Sequence, residues 1–568
     1  MKKDYPYYET TEFADLRIMT ENVARKYPNR VAISYKKNPH DQDTIKLTYA
    51  EAREYIRSIG TGLIALGCRD QHIALIGETS CDWICTYFAL MSIGSVVVPI
   101  DKDLPAAEIA DILVAAECTK VIYSETVESK IETVKEKAQA QLTAICMAGE
   151  SKTPGHMNLA AIAADGKVRL EAGDTSYDDY EIDPDRLASI VFTSGTTGKG
   201  KGVMLSQTNI ASDMTNGMYL FAITPKTIAL LPPHHTFGST VIFVGHFAQG
   251  SEIYISSGLR YIATEIREQQ PSHLIVVPLF LEKLHQKLWQ TVKEKGKTQQ
   301  LKSLFKISNN LRKIGIDLRG PLFGSIRAAF GGKLEMVISG GAALRQDFID
   351  TFDSIGITVL NGYGITECSP LVSCNRNEYQ KKGSVGMPIL EEKIKIVSPN
   401  EKGEGEICVK GPNVMLGYYK DPEATAAAFN AEGYFRTGDF GRLDEDGWLY
   451  ITGRLKNLIV FSNGKNVYPE ELEAGIAAIP GVEEVVVYAG ESRSQKNREV
   501  IVADIFPDYD WLAANGLDAQ EYFDAEIRKY NSSIVSYKAI GQVKIRETEF
   551  EKNTSRKIVR FAINKQIE

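Results

Sequence analysis

The chain has 568 residues, room for three or four structural units at ~100–200 residues each. Apolar residues make up 43% and charged residues 24%, ordinary for a globular protein with large cores, and 46 glycines with 21 prolines exclude a collagenous or largely disordered chain. The 65 basic and 73 acidic residues leave a net charge of −8, against the basic surplus of a protein that coats nucleic acid, so no nucleic-acid partner is expected.

The N-terminal stretch carries acids and tyrosines in place of an apolar signal core. The longest apolar stretch, residues 89–100, is broken at Ser92, Gly94 and Ser95 and is shorter than the ~20 residues that span a bilayer. A soluble, cytoplasmic chain is expected. Eight scattered cysteines lack metal or redox spacing and read as reduced, partly buried thiols. The eight histidines form no H-E-x-x-H pair, so no structural metal is expected.

Taken in order, Thr48 and Glu51 have capping-box spacing ahead of a helix with an apolar stripe at Tyr55, Ile59, Leu63 and Leu66. Apolar runs at 73–76, 95–99, 121–123, 188–192, 228–231 and 274–278 read as buried parallel strands covered on both faces. Helical patterns between them predict α/β architecture. Residues 282–319 hold ten lysines and arginines against three acids, interleaved with Leu284, Leu288, Trp289, Leu301, Leu304, Phe305 and Leu311. A solvated helical insertion is the simpler reading, and peripheral contact with an anionic membrane surface the sharper one. After residue 453 the pattern changes. Pro469-Glu470-Glu471 reads as a helix start that ends by Pro480-Gly481. Strands at 484–488 and 500–506, a helix near 520–530 and a strand near 543–546 then describe a small α+β unit.

The strongest local signal is Thr193-Ser-Gly-Thr-Thr-Gly-Lys-Gly-Lys-Gly-Val203, between the apolar strand ending at Phe192 and a helix near Ser206. Its glycines let successive N–H groups converge on an anion, and its hydroxyls and lysines add donors and charge. Thr193, Ser194, Gly195, Thr196, Thr197, Gly198, Lys199 and Lys201 are therefore candidate phosphate ligands. A P-loop ATPase would need Ser or Thr after Lys201, and Gly202 stands there.

This loop resembles the phosphate loop of the adenylate-forming superfamily, which includes acyl-CoA synthetases, firefly luciferase and peptide-synthetase adenylation domains. Gly200 stands where that loop usually has proline. The resemblance continues in order to Lys557 and implies a large multi-subdomain α/β N-terminal domain over 1–453. A small mobile α+β domain over 454–568 would follow. In Leu231-Pro-Pro-His-His-Thr-Phe-Gly238, it implies that His235 and Phe237 flank the acyl-adenylate and the pyrophosphate exit. The strand before Gly340, Gly341 and Ala342 ends in small residues that admit a flat ring. In Asn361-Gly362-Tyr363-Gly364-Ile365-Thr366-Glu367, Tyr363 would stack on adenine, Thr366 contact phosphate and Glu367 hold Mg²⁺. Asp439 would take the ribose hydroxyls, with Arg454 assisting, and Lys456 falls on the hinge position. Lys557 matches the catalytic lysine, although Arg556 replaces the usual preceding glycine. Gly464, Lys465 and Asn466 would face CoA in the second step.

The resemblance thus implies activation of a carboxylic acid by ATP and Mg²⁺ to an acyl-adenylate, with Lys557, Glu367, Thr193 and His235 as catalytic residues, then transfer to the thiol of CoA. The segment from Leu274 to Leu284 and that from Val460 to Pro469 look like the medium- or long-chain fatty acid ligase branch. Transfer to an acyl carrier protein and a non-catalytic nucleotide- or lipid-binding member are the alternatives. The oligomeric state stays open, a homodimer included.

Overall fold

The computed structural model describes residues 5–138, 142–147, 149, 151–193, 200–223, 225–460, 466–492, 499–552 and 558–567. Contacts within the chain group it into two compact units. The first comprises Met1–Lys393, Val409–Phe435 and Glu445–Trp448, and the second Ile394–Cys408, Arg436–Asp444 and Leu449–Glu568.

The first unit is built on three sheets. The largest has eight strands in the spatial order Gly417–Tyr418, Lys201–Ser206, Leu187–Thr193, Val96–Ile100, His72–Ile76, Lys120–Tyr123, Thr143–Cys146 and Met157–Asn158. The five strands from Leu187–Thr193 to Thr143–Cys146 run parallel, as their apolar runs require, and Ala74, Val98, Val121 and Ile190 share one core. A five-stranded sheet follows the order His273–Val276, Met336–Ser339, Thr358–Gly364, Leu371–Cys374 and Met387–Pro388. A four-stranded sheet holds Lys226–Ala229, Glu252–Ile255, Val31–Tyr35 and Ile45–Thr48.

Local chemistry sets several element ends. Thr48 and Glu51 close the expected capping box on helix Tyr49–Ala65, which relieves orphan N–H groups of its first turn. That helix lies against helix Leu159–Glu171, with glycine at the crossing. A Cβ on Gly166 would sit 1.9 Å from the Ser58 carbonyl oxygen, and one on Gly62 would sit 2.2 Å from that of Ile162. The strand expected at 228–231 lies at Lys226–Ala229, in register with Glu252–Ile255. Pro278, expected to end a strand, instead opens helix Pro278–Glu294, where its missing N–H costs nothing. Helices Pro278–Glu294 and Thr298–Arg312 form the expected basic insertion.

The second unit contains a sheet ordered Lys393–Val397, Gly405–Lys410, Phe435–Leu443 and Leu449–Arg454, and another ordered Gln542–Ile545, Glu499–Pro507, Val482–Ser492 and Gln566–Ile567. Pro469 begins helix Pro469–Ile476 with Glu470 and Glu471 in its first turn. Helix Ala519–Ser532 covers the core of Leu472, Val487, Ile501, Phe523 and Ile527. A short helix, Tyr509–Asn515, was not expected from the sequence. None of the eight cysteines is in a disulfide, and all are buried. Among the described residues, no helix is long and apolar enough to cross a membrane.

Candidate active site

Three strands frame the segment expected to bind phosphate in the first unit. Leu187–Thr193 and Lys201–Ser206 form an antiparallel hairpin in which Thr193 faces Lys201 and Phe192 faces Gly202. The chain therefore passes through a second strand before helix Gln207–Met218 starts behind its Ser206 cap. Ser194, Gly195, Thr196, Thr197, Gly198 and Lys199 lie outside the described residues. Thr193 and Lys201 flank them in the sequence, with Thr193 Oγ1 3.5 Å from the Lys201 carbonyl oxygen. Gly202 cannot be the serine or threonine of a P-loop ATPase without a steric cost. A Cβ there would come within 2.8 Å of Ile190 Cγ2 and 3.3 Å of Phe192 Cζ.

The third strand, Gly417–Tyr418, pairs antiparallel with Lys201–Ser206 through Tyr418 and Val203. This brings in a residue that the sequence reading missed. The Tyr418 hydroxyl donates to Glu367 Oε1 over 3.0 Å, and the Lys201 ammonium lies 4.7 Å from the centre of the Tyr418 ring. Burial, then the Glu367 charge, raise the Tyr418 phenol above its ordinary range, so it stays a donor at neutral pH. One aromatic ring thus joins Lys201, the last lysine of the segment expected to bind phosphate, to the carboxylate expected at the metal. A cavity of about 360 Å³ adjoins this group, lined in part by Phe192, Lys201, Tyr418, Tyr419 and Lys420.

Glu367 sits with Thr366 in a short 3₁₀ turn directly after strand Thr358–Gly364, which carries Asn361, Gly362, Tyr363 and Gly364. Tyr363, Thr366 and Glu367 are half-buried. That strand runs parallel to Met336–Ser339, with Asn361 beside Ser339, so Gly340 and Gly341 leave the neighbouring strand at the same level, followed by Ala342. A Cβ on Gly340 would lie 3.3 Å from Phe237 Cζ and 3.5 Å from the Gly362 carbonyl oxygen. The small residue therefore makes room for the Phe237 ring. Gly341, at φ +86°, has open space around its α-carbon: a Cβ there would come no closer than 4.0 Å, to Val277 Cγ1.

The His235 loop turns into a π-helical segment, Phe237–Val244, a geometry that recurs at functional sites. The His235 carbonyl accepts from Gly238 N–H at 2.8 Å and Ser239 N–H at 2.9 Å. The His234 ring lies 4.2 Å from that of His235, and its Nε2 is 3.5 Å from Asp101 Oδ2. Burial lowers the His234 pKa although Asp101 opposes the shift. Asp101 follows strand Val96–Ile100 and carried no sequence signal of its own.

In the second unit, Asp439 and Arg454 face each other across adjacent strands. Arg454 Nε donates to Asp439 Oδ1 over 2.8 Å, with the aspartate almost fully buried. Thr437 Oγ1 accepts the Asp439 N–H at 3.0 Å and donates to the Ile407 carbonyl at 2.7 Å. Asp439 is thus anchored, and one of its oxygens is engaged by Arg454. Lys456 lies in the 3₁₀ turn Leu455–Asn457. Lost hydration, followed by the nearby Arg454 charge, holds its ammonium below the ordinary lysine value. Asn466 opens the two-residue strand Asn466–Val467. Gly464, Lys465 and Lys557 lie outside the described residues, and Lys552 and Ile558, which flank residues 553–557 in the sequence, pair antiparallel.

Comparison with known proteins agrees with this architecture. The chain is 27% identical to a long-chain-fatty-acid–CoA ligase of Mycobacterium bovis, over 89% of this chain and 88% of that one. It is 28% identical to a chloroplastic long-chain-fatty-acid–[acyl-carrier-protein] ligase of Arabidopsis thaliana, over 83% and 74%. Among solved structures, ATP-bound MatB from Rhodopseudomonas palustris superposes with a TM-score of 0.75 at 23% identity, over 96% of this chain and 98% of that one. A Mycobacterium tuberculosis fatty acyl CoA synthetase gives 0.65 at 22%, over 96% and 97%. These likenesses show a shared fold. The AMP-binding enzyme model matches residues 20–419, a span that holds both the phosphate hairpin and the Glu367 turn, and by that match the chain belongs to the AMP-binding enzyme family.

Proposed function

We propose that this enzyme activates a medium- or long-chain fatty acid with ATP and transfers the acyl group to CoA. The carboxylate oxygen attacks the α-phosphorus of ATP, the bond to the β-phosphate oxygen breaks, and acyl-adenylate and pyrophosphate result. The CoA thiolate then attacks the acyl carbon, and AMP leaves. The first step must bring together two anions, so it needs positive charge and donors placed before reaction. The observation that carries the reading is the Lys201–Tyr418–Glu367 cluster, which unites the phosphate loop with a carboxylate 166 positions later in the sequence.

Glu367 offers a hard oxygen donor, and among the described residues no group of three His, Cys, Asp or Glu side chains could hold a metal alone. This donor set fits Mg²⁺ shared with nucleotide phosphates. When bound, the ion supplies neutralisation and orientation of phosphate oxygens. Thr193, Lys201 and the loop between them bind the phosphates. Tyr363 stacks on adenine beside Gly340, Gly341 and Ala342, while Asp439 and Arg454 bind the ribose. His235 and Phe237 line the acyl side. Lys557 bridges the carboxylate and the α-phosphate in the first step. Rotation of residues 454–568 about Lys456 then brings Gly464, Lys465 and Asn466 towards the thiol, a common way to gate two-step catalysis.

The same reading puts the enzyme in the cytoplasm, visiting the inner face of the membrane where its substrates reside. Support comes from Ile307, Ile314 and Ile316, which are 54%, 70% and 45% exposed among the exposed Lys302, Lys306 and Lys313, a pattern suited to an anionic bilayer. Co-sedimentation with phosphatidylglycerol vesicles, lost in phosphatidylcholine and in Ile307→Asp/Ile314→Asp, tests that part. Pyrophosphate release across acids from acetate to stearate, with CoA or acyl carrier protein as acceptor, tests the whole. Turnover with carrier protein alone would replace CoA as acceptor, and ATP binding without release for any acid would end the catalytic reading.

A further inference from the structure

Directly behind the Glu367 turn lies a buried polar group that the chemistry above does not use. Asp213 on helix Gln207–Met218 is 0% exposed, Asn413 1% and Glu392 8%. Burying two carboxyls and an amide is costly: Asp213 Oδ2, Glu392 Oε1 and Asn413 Oδ1 lack a hydrogen-bond partner, while the bonds that Asp213 and Asn413 make run to one short stretch of backbone. Asn413 Nδ2 lies 3.1 Å from the Cys368 carbonyl, 2.9 Å from that of Leu371 and 2.7 Å from Glu392 Oε2, so its two N–H groups are fully engaged. Asp213 Oδ1 accepts the Leu371 N–H at 2.9 Å. Ser369 Oγ donates to the Asn413 carbonyl at 2.8 Å, and the Met415 N–H donates to the Glu367 carbonyl at 2.8 Å. Asn209 Nδ2 holds the far side through the Pro412 and Val414 carbonyls at 2.7 and 2.9 Å.

Residues 367, 368, 369 and 371 are thus tied to Asn413 or Met415, and the segment of these two runs straight on to Tyr418, which bonds the Glu367 side chain. Burial pushes the Glu392 carboxyl up to about 8 and Asp213 well above the carboxylate range. Near-neutral groups can remain in such a site without a counter-ion.

We propose that Asn413, held between Asp213 and Glu392, is a positioning residue that fixes the backbone of the Glu367 turn, so that the Glu367 carboxylate meets the metal-bound nucleotide in one orientation. This rests on the proposed role of Glu367 at the metal. A buried clamp of this kind serves the geometry of the site more than the net stability of the fold, because a hydrophobic cluster would fill the same space at lower cost.

The test measures ATP affinity of the full chain by calorimetry, with Mg²⁺ and with a chelator, so that the readout is the gain in affinity brought by Mg²⁺. Asn413→Ala should lose about tenfold of that gain, which is ~1.4 kcal/mol, while the KM for the fatty acid stays unchanged. Ser369→Ala, a smaller change that covers the case in which Asn413→Ala does not fold, should lose two- to threefold. Glu392→Gln and Asp213→Asn keep an acceptor in place and should retain the gain. A full gain in both Asn413→Ala and Ser369→Ala, or equal loss of chelator-state affinity and acid binding in all four variants, would overturn the proposal. Glu367→Gln separates the two readings: if it abolishes the gain and Asn413→Ala does not, only the clamp fails, whereas an unchanged gain in Glu367→Gln removes the metal role on which the clamp depends.

Discussion

Replacing Tyr418 by phenylalanine removes one oxygen from the centre of the site and little else. The ring that faces the Lys201 ammonium at 4.7 Å remains, and its quadrupole still attracts the cation. Strand pairing of residue 418 with Val203 is a backbone matter and is untouched. What is lost is the 3.0 Å hydrogen bond to Glu367 Oε1. A hydrogen bond to a charged group contributes about 1.5–3 kcal/mol, and half-burial of Glu367 places this one at the lower end, about 1–2 kcal/mol after solvent competition. At ~1.4 kcal/mol per decade, kcat/KM for Mg·ATP should fall roughly 5- to 30-fold. Pyrophosphate release at fixed fatty acid and varied Mg·ATP measures it, with a melting curve to show that the fold is intact. The KM for the acid should move by less than about twofold. A Tyr418→Phe enzyme with wild-type kcat/KM and an unchanged Mg²⁺ titration would refute the idea that this hydroxyl orients the carboxylate.

Other expectations concern each unit separately. Lys557→Ala should nearly abolish acyl-adenylate formation while sparing thioester formation from supplied acyl-adenylate, measured as two separate half-reactions; equal loss in both would contradict its role in the first step alone. Lys456→Pro should slow thioester formation more than adenylation in the same pair of assays. Stability should carry the signature of the buried His246–His273 pair, whose Nε2 atoms lie 2.7 Å apart and whose rings stack at 4.9 Å. Burial lowers the His246 pKa from 6.5 to about 4, so the folded state keeps it neutral while the unfolded chain takes up a proton below 6.5. Its contribution is therefore complete above pH 6.5 and fades as pH falls towards 4, by up to about 3 kcal/mol. Denaturant unfolding at pH 7 and pH 5 should show the loss, and His246→Gln should reduce it, leaving the share of His273, whose pKa burial also lowers.

Short-range chemistry made much of this fold legible. The Thr48–Glu51 cap, the Pro469 helix start and the apolar parallel strands all lie where residue pattern alone puts them, because each depends on neighbours within a few positions. Pro278 misled for the same reason: following Ile275-Val276-Val277 it reads as strand, yet a proline with no N–H to give suits the first turn of a helix equally well, and tertiary contact decides. The second hairpin strand was hidden by Lys201 and Gly202, which look like loop until Ile190 and Phe192 are seen to fill the space a side chain would need.

The site divides along the same line. Residues proposed to act through their own segment, such as Thr193, Tyr363, Glu367 and Asp439, announce themselves by local motif. Those that act by reaching across the fold do not. Tyr418 sits on a two-residue strand and gains its role only because that strand pairs with the phosphate hairpin while its hydroxyl meets Glu367. Asp101 merely follows an ordinary buried strand until His234 packs beside it. Asn413 and Glu392 lie in segments with no motif at all, and the hydrogen bonds that give them meaning join positions 21 to 45 residues apart. A motif scan therefore finds the groups proposed to touch substrate, whereas the groups that hold them in place become visible only through the contacts of the folded chain.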